Sequence, residues 1–437
     1  MGQSVLSAAA PAGATPEQRA ALLADAGLVR RDGALVLDGV PLAEIAATVG
    51  TPTYVYSAEV IRRRYAELDS ALAPVPHRIA FAVKANSSLA VLRVFRDLGA
   101  GADIVSGGEM RRALAAGFPA ERIVFSGVGK TDAELDAAVA AGVGHVHLES
   151  TTELDALAAV AARHRRKVWV GIRVNPDITA DTHPYISTGQ GGIKFGVPFD
   201  QVLPLAREVA EAEWLELDTI AMHLGSQLLD AAPYQKGIAR LLVLVEELEH
   251  AGMDNISALD IGGGLGIRYR NETPLTPADL AAVVLPQLAA SGKTVVMEPG
   301  RYLTGPAGVL LTTVLARKHS GGKEFVIVDA GMNDLVRPSH YHAYHDIVEV
   351  EEGGRPERTV DVVGPVCETG DFLALDRPLP VVEGGEHLAI LGAGAYGFVM
   401  SSNYNSRPRA AEVMVDVDGY TIARRRETFD DLIRGEV

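Results

Sequence analysis

The chain has 437 residues, 48% of them hydrophobic, with 40 Lys and Arg set against 56 Asp and Glu. That length and apolar content suffice for two domains with sizeable cores, and a net charge of −16 argues against nucleic acid or an anionic membrane as a partner, because both need positive patches. One cysteine, Cys367, excludes an internal disulfide, no apolar run reaches membrane-spanning length, and no basic segment precedes an apolar core at the start; a cytoplasmic protein is expected.

The opening segment, residues 1–57, carries strand-like pieces in "GALVLDGVPLAEIAATVGTPTYVYS" that find no place in the repeat that follows. From Ile79 one unit recurs, a short apolar run, a turn and an amphipathic helix. The predicted strands are Ile79–Val83, Ala102–Val105, Arg122–Phe125, His145–Leu148, Val168–Val174, Thr219–Met222, Ala258–Ile261 and Thr294–Met297. Three helices are predicted to open with a Ser/Thr-x-x-Glu capping box, at Ser106/Glu109, Thr131/Glu134 and Ser150/Glu153. Near-continuous apolar strands alternating with helices indicate a parallel sheet covered on both faces, and eight such units indicate a closed (β/α)8 barrel, the TIM-barrel architecture, over residues 58–309. After about Leu310 the helical period disappears. Runs such as "EFVIVDAG", "RTVDVVGPV" and "AEVMVDVDG" predict a separate C-terminal β domain, residues 310–437, that also takes in the N-terminal segment. The fold class expected is therefore α/β plus all-β.

Barrel chemistry gathers at the C-terminal strand ends. The residues there are Lys84, Ser106, Ser126, Glu149, Arg173, His223, Gly262–Gly264 and Glu298. Lys84 either snorkels to solvent or points into the mouth among these polar groups. "DIGGGLG" is either a tight turn or a nest of backbone N–H groups for an anion. In "MEPGRYLTG", Glu298 could receive a protonated ring nitrogen and Arg301 an anion, or the two could be a surface ion pair. His223 could stack on an aromatic cofactor or serve as a structural histidine. Cys367, beside three polar residues in "VVGPVCETGD", is either a reactive thiol or an inert buried one. "HYHAYH", residues 340–345, lacks acidic or cysteine partners at ligand spacing, so no metal is expected.

A lysine, a phosphate nest, a ring-stacking histidine and an acid for a pyridine nitrogen form the inventory of a pyridoxal phosphate site. The ordered motifs "FAVKAN", "DIVSGGE", "RVNP", "HPYISTG" with "KFG", "HLGSQ", "GGGLG", "EPGR", "MNDLVRP", "CETGD" and "GAGAYG" run from about residue 35 to the C-terminus. In them the chain resembles the fold type III pyridoxal-phosphate-dependent decarboxylases, and within these the diaminopimelate decarboxylase family. The resemblance implies the following roles. Lys84 would carry pyridoxal 5'-phosphate as a Schiff base, with Asp103 and Arg173 as contacts near the lysine and cofactor. Gly263, Gly264, the backbone of Glu298, Pro299, Gly300 and Arg301, with Ser226 and Tyr396, would hold the phosphate or its surroundings. His223 would lie against the pyridine ring and Glu298 would keep its nitrogen protonated. Arg301, Arg337 and Tyr341 would grip the distal end of an amino-acid substrate, with Tyr396 nearby and Glu368 receiving its amine. Cys367 would donate a proton, arriving with "CETGD" from the partner chain of a homodimer.

The expected reaction is decarboxylation of meso-2,6-diaminopimelate to L-lysine and CO₂, because Arg337 and Tyr341 suit a distal carboxylate and Glu368 the amine beside it. Alternatives are a carboxynorspermidine decarboxylase or a non-catalytic regulatory homologue. Two departures from the family pattern stand out: Ser339–His340 replace small and apolar residues, and "GQGG" makes the presumed lid loop glycine-rich.

Overall fold

The computed structural model describes residues 13–178, 189 and 192–437. The presumed lid residues of "HPYIST" and part of "GQGG" lie outside these. The chain divides into two compact units, one comprising residues up to Val60 with Arg268–Asn271 and Gly305–Val437, the other Ile61–Ile267 with Glu272–Thr304.

In the first unit, β1 (Leu28–Arg31), β2 (Ala34–Leu37) and β3 (Val40–Pro41) form a small antiparallel sheet. Then β4 (Thr53–Ser57) enters a larger one. The second unit contributes β5 (His77–Ala82), β6 (Gly101–Ile104), β7 (Ile123–Phe125), β8 (His145–Leu148), β9 (Val168–Val174), β10 (Leu215–Met222), β11 (Ala258–Asp260) and β12 (Thr294–Met297). All eight are parallel and β12 closes on β5, so the expected barrel is present with strand ends shifted by a few residues.

Alternation along each strand sends one set of side chains to the helices and the other to the barrel axis. Phe81 takes the outer set. It stacks on Phe95 of helix Leu89–Asp97 with ring centroids 4.0 Å apart, both fully buried. The opposite set is small or polar, including Asp103, Ser126, His147, Glu149, Arg173 and Glu298. A cavity of about 430 Å³ lies at the N-terminal end of the strands, lined among others by His77, Arg78, Glu121, His145 and Thr219. The candidate residues occupy the other end.

The capping boxes differ in detail. Thr131 and Glu134 form the reciprocal pair. Ser106 and Ser150 accept from Glu109 and Glu153 N–H, but the two carboxylates reach one residue further back, to the N–H of Val105 and Glu149. Those donors would otherwise be orphaned at the strand ends.

The larger sheet of the first unit adds β13 (Gly308–Ser320), β14 (Lys323–Val328), β15 (Ile347–Glu349), β16 (Glu357–Val363), β17 (Phe372–Pro380), β18 (His387–Ile390), β19 (Ala411–Asp416) and β20 (Gly419–Arg424). Its order is β17-β16-β14-β13-β4-β19-β20, with β18 on β13 and β15 on β18. From the N-terminal segment, β4 joins this sheet, pairing with both β13 and β19. Residues two apart on successive strands, Val309 and Leu311, Ala389 and Leu391, Val413 and Val415, join Val55 in one apolar cluster. Helix Leu42–Val49 covers it with Leu42, Ile45 and Ala46, and helix Pro16–Asp25 adds Leu22. No helix among the described residues is long and apolar enough to cross a membrane.

Removing the Phe81 ring leaves a void between sheet and helix. Phe81→Ala is expected to cost about 3–5 kcal/mol, measured by urea unfolding; a loss under about 1 kcal/mol would contradict this packing.

Candidate active site

Lys84 sits just past β5, on a single 3₁₀ turn, Val83–Ala85. Asn86 Oδ1 accepts from Ser88 N–H at 3.0 Å, shaping the turn before helix Leu89–Asp97. The lysine does not snorkel away: its Nζ lies 2.7 Å from Asp103 Oδ2 at the end of β6, where the carboxylate has no exposure at all. Asp103 Oδ1 is also buried and has no hydrogen-bond partner among the described residues. A buried carboxylate left half-satisfied depends strongly on its one cationic neighbour.

His223 follows β10. Gly263 N–H donates to its Nδ1 at 3.2 Å, so the ring proton belongs on Nε2. Burial first, then the Arg173 and Lys84 charges, drives its pKa well down, and the imidazole stays neutral. The glycines after β11 are required by crowding. A Cβ on Gly263 would stand 2.1 Å from the Glu298 carbonyl, and Gly262 and Gly264 have φ of +69° and +109°. Arg301, 5% exposed, directs Nε and Nη2 to Ser226 Oγ at 3.3 and 3.0 Å.

Further down the axis is a cluster that sequence reasoning left without a role. His147, Asp260 and Glu298 bring one donor atom each within 4.8 Å of the others. Ser126 Oγ bridges His147 Nδ1 at 3.3 Å and Glu298 Oε1 at 3.4 Å. Burial, then the charges of Asp103 and Asp260, raises the Glu298 pKa well above the carboxylate range. Burial pushes Asp260 up to about 7. Two carboxyls this close in a dry setting share a proton, and Glu298 holds it. Burial likewise keeps His147 neutral. Its ring has room because β9 carries Gly171, where a Cβ would meet His147 Cδ2 at 2.3 Å.

Glu149 anchors Arg173. It accepts from Arg173 Nη1 at 2.7 Å and from the N–H groups of Gly127 and Gly196 at 3.0 and 2.9 Å. Lys130, which no motif flagged, donates to the carbonyls of Gly127 and His147 at 2.8 and 2.7 Å.

In the sheet unit, Arg337 is 5% exposed and lies over the rings of Tyr269 and Tyr341, at 5.1 and 5.7 Å. Cys367 is exposed, not an inert core thiol, and its N–H donates to Asn405 Oδ1 at 2.7 Å. Glu368 beside it is also exposed. Tyr396 is half-buried at a positive φ of 56°. Two histidines of "HYHAYH" have separate partners: His340 packs edge-on to Tyr341, and His345 hydrogen-bonds Arg337 and the Leu391 carbonyl.

Because Asp260 titrates near pH 7 when folded and near 4 when unfolded, the folded state holds the extra proton in between. Its stabilising share is complete below about pH 4 and lost as pH rises through about 7. Asp260→Asn should therefore flatten the fall in stability over that window by up to about tenfold in folding constant per pH unit. Parallel slopes for variant and parent in urea titrations would refute this.

A family profile described as the pyridoxal-dependent decarboxylase, pyridoxal binding domain, matches residues 58–305. The chain is 49% identical to a diaminopimelate decarboxylase of Pseudomonas aeruginosa over 93% of this chain and 97% of that protein. It is 48% identical to one of Aquifex aeolicus over 92% and 96%. The crystal structure of diaminopimelate decarboxylase from Helicobacter pylori complexed with L-lysine superposes with a TM-score of 0.87 at 39% identity, covering 90% of this chain and 98% of that one. With the lysine, the crowded glycines and the proton-holding glutamate at one barrel mouth, and with similarity extending through the sheet unit, the chain belongs to the diaminopimelate decarboxylase family of pyridoxal-dependent decarboxylases.

Proposed function

We propose that the chain removes CO₂ from meso-2,6-diaminopimelate, giving L-lysine, with pyridoxal 5'-phosphate carried on Lys84. The carrying observation is the Lys84 amine, 2.7 Å from buried Asp103, at the same strand ends as neutral His223 and protonated Glu298. These residues fit the group. Asp103 orients the amine, Glu298 has a proton to present to a ring nitrogen, and the glycines after β11 pack backbone against backbone where any Cβ would clash.

When bound, the cofactor supplies a conjugated ring that takes up the electron pair left by the departing carboxylate. Lys84 would hold it through its amine. Glu298 would share its proton with the ring nitrogen, whose positive charge would offset the burial and nearby acids that raise the carboxyl pKa. His223, held neutral by burial, would lie against the ring without competing for that proton. Gly263, Gly264, Pro299, Gly300, Ser226 and Tyr396 would hold the phosphate or its surroundings, and Arg173, tied to Glu149, would be a contact near the cofactor.

Arg301, Arg337 and Tyr341 receive the distal carboxylate and Glu368 its neighbouring amine. Cys367 returns a proton to the carbon that lost CO₂. The exposure of Cys367 and Glu368 supports their delivery to a partner subunit's barrel in a homodimer. A cytoplasmic location agrees with the lone unpaired cysteine.

Purified protein given pyridoxal phosphate and meso-diaminopimelate is expected to form lysine and to show a visible band that Lys84→Ala abolishes. A colourless, folded protein that cannot be reconstituted would defeat the reading. For the shared site, mixing inactive Lys84→Ala and Cys367→Ala chains should restore up to about a quarter of the parental activity, since half the dimers would be mixed with one intact site each. No recovery despite proven subunit exchange would count against it.

A further inference from the structure

His345 ends the "HYHAYH" stretch and is completely buried. Its Nδ1 lies 2.8 Å from the Leu391 carbonyl oxygen, which can only accept, so the proton sits on Nδ1. Nε2 is left with a lone pair, and Arg337 Nε–H donates to it at 3.3 Å. An arginine normally seeks a carboxylate; here a neutral imidazole occupies the Nε edge of the guanidinium. Tyr269 reinforces the arrangement, standing edge-on to His345 at 5.3 Å while Arg337 lies over its face at 5.1 Å. The His345 backbone is held as well, because Arg377 Nη1 donates to its carbonyl at 2.8 Å.

We propose that His345 is a positioning residue for Arg337, fixing the rotation of the guanidinium so that its terminal Nη edge is the one offered to the distal carboxylate of the substrate. The inference rests on the reading of Arg337 as the residue that receives that carboxylate. A neutral acceptor suits the task in two ways. It satisfies Nε–H without placing a negative charge beside the guanidinium that would compete with the carboxylate. It also holds one rotamer of a side chain that otherwise has several, reducing what binding must order. A carboxylate at position 345 would bind Arg337 more strongly and compete with substrate. A lysine would repel it.

The test uses cofactor-loaded full-length protein, with KM and kcat for meso-diaminopimelate and calorimetric affinity for L-lysine, which keeps the distal amino-acid group. His345→Phe should raise KM about tenfold to a hundredfold and weaken lysine binding comparably, with kcat within about threefold of the parent. His345→Gln, whose amide oxygen can accept from Nε–H, should recover most of both. Arg337→Ala, measured alongside, should raise KM at least as far as His345→Phe. If Arg337→Ala changes neither KM nor lysine affinity, the reading of Arg337 fails and the inference with it. If Arg337→Ala raises KM but His345→Phe does not, or if His345→Phe lowers kcat and cofactor absorbance together, only the positioning role is overturned. Nitrogen NMR of histidine-labelled parent protein, assigned through His345→Gln, needs no perturbed variant to fold: an Nδ1–H neutral ring is expected, and an Nε2–H ring or an imidazolium at neutral pH overturns the proposal.

Discussion

The ion pair between Lys84 and Asp103 is the contact on which the barrel mouth depends. Asp103 sits on β6 without exposure; its Oδ2 takes the lysine, and its Oδ1 has no hydrogen-bond partner among the described residues. An amine on a flexible four-carbon stem would otherwise wander toward water. Held at 2.7 Å, it stays at the strand ends, while its side chain keeps 34% of its exposure and remains reachable. The same negative charge acts on Glu298, where Asp103 is the strongest influence after burial. One carboxylate thus steadies a cation on one side and holds a proton on a second acid.

Around that pair the mouth is an alternation of partnered charges. Arg173 is tied to Glu149, Arg301 to Ser226, and Asp260 to the Gly262 N–H at 2.8 Å. In so dry a setting each partnership is strong and each omission costly. The neutral imidazoles of His147 and His223 fit this pattern, since another buried cation among Lys84, Lys130 and Arg173 would be repelled. Glycine makes the density possible: Gly171 admits the His147 ring and Gly263 lets its strand end touch the Glu298 backbone.

The sheet unit solves a different problem. Its apolar cluster comes from alternate residues of several strands, yet it also buries two arginines, 3% and 5% exposed. Arg377 lies 3.9 Å over Tyr344 and 3.6 Å from Asp346, so its charge is answered inside the unit. Arg337 is surrounded by the rings of Tyr269, Tyr341 and His345. Aromatic faces stabilise a guanidinium without cancelling its charge.

By itself the sequence determined the architecture, because a parallel strand covered on both faces must be apolar along its length and a helix must carry its own period. Eight such units and then strand-only texture were legible, and so were Lys84, His223, Glu298 and the glycines, since each follows directly on a strand. The sequence could not show that His147 and Asp260 join Glu298, because they stand on three strands whose approach depends on barrel closure. Nor could it assign a role to the histidines of "HYHAYH". Only the tertiary structure placed Leu391, 46 residues away, against one face of His345 and Arg337 against the other, and the hydrogen-bonding role of an imidazole is decided by what lies at its two nitrogens.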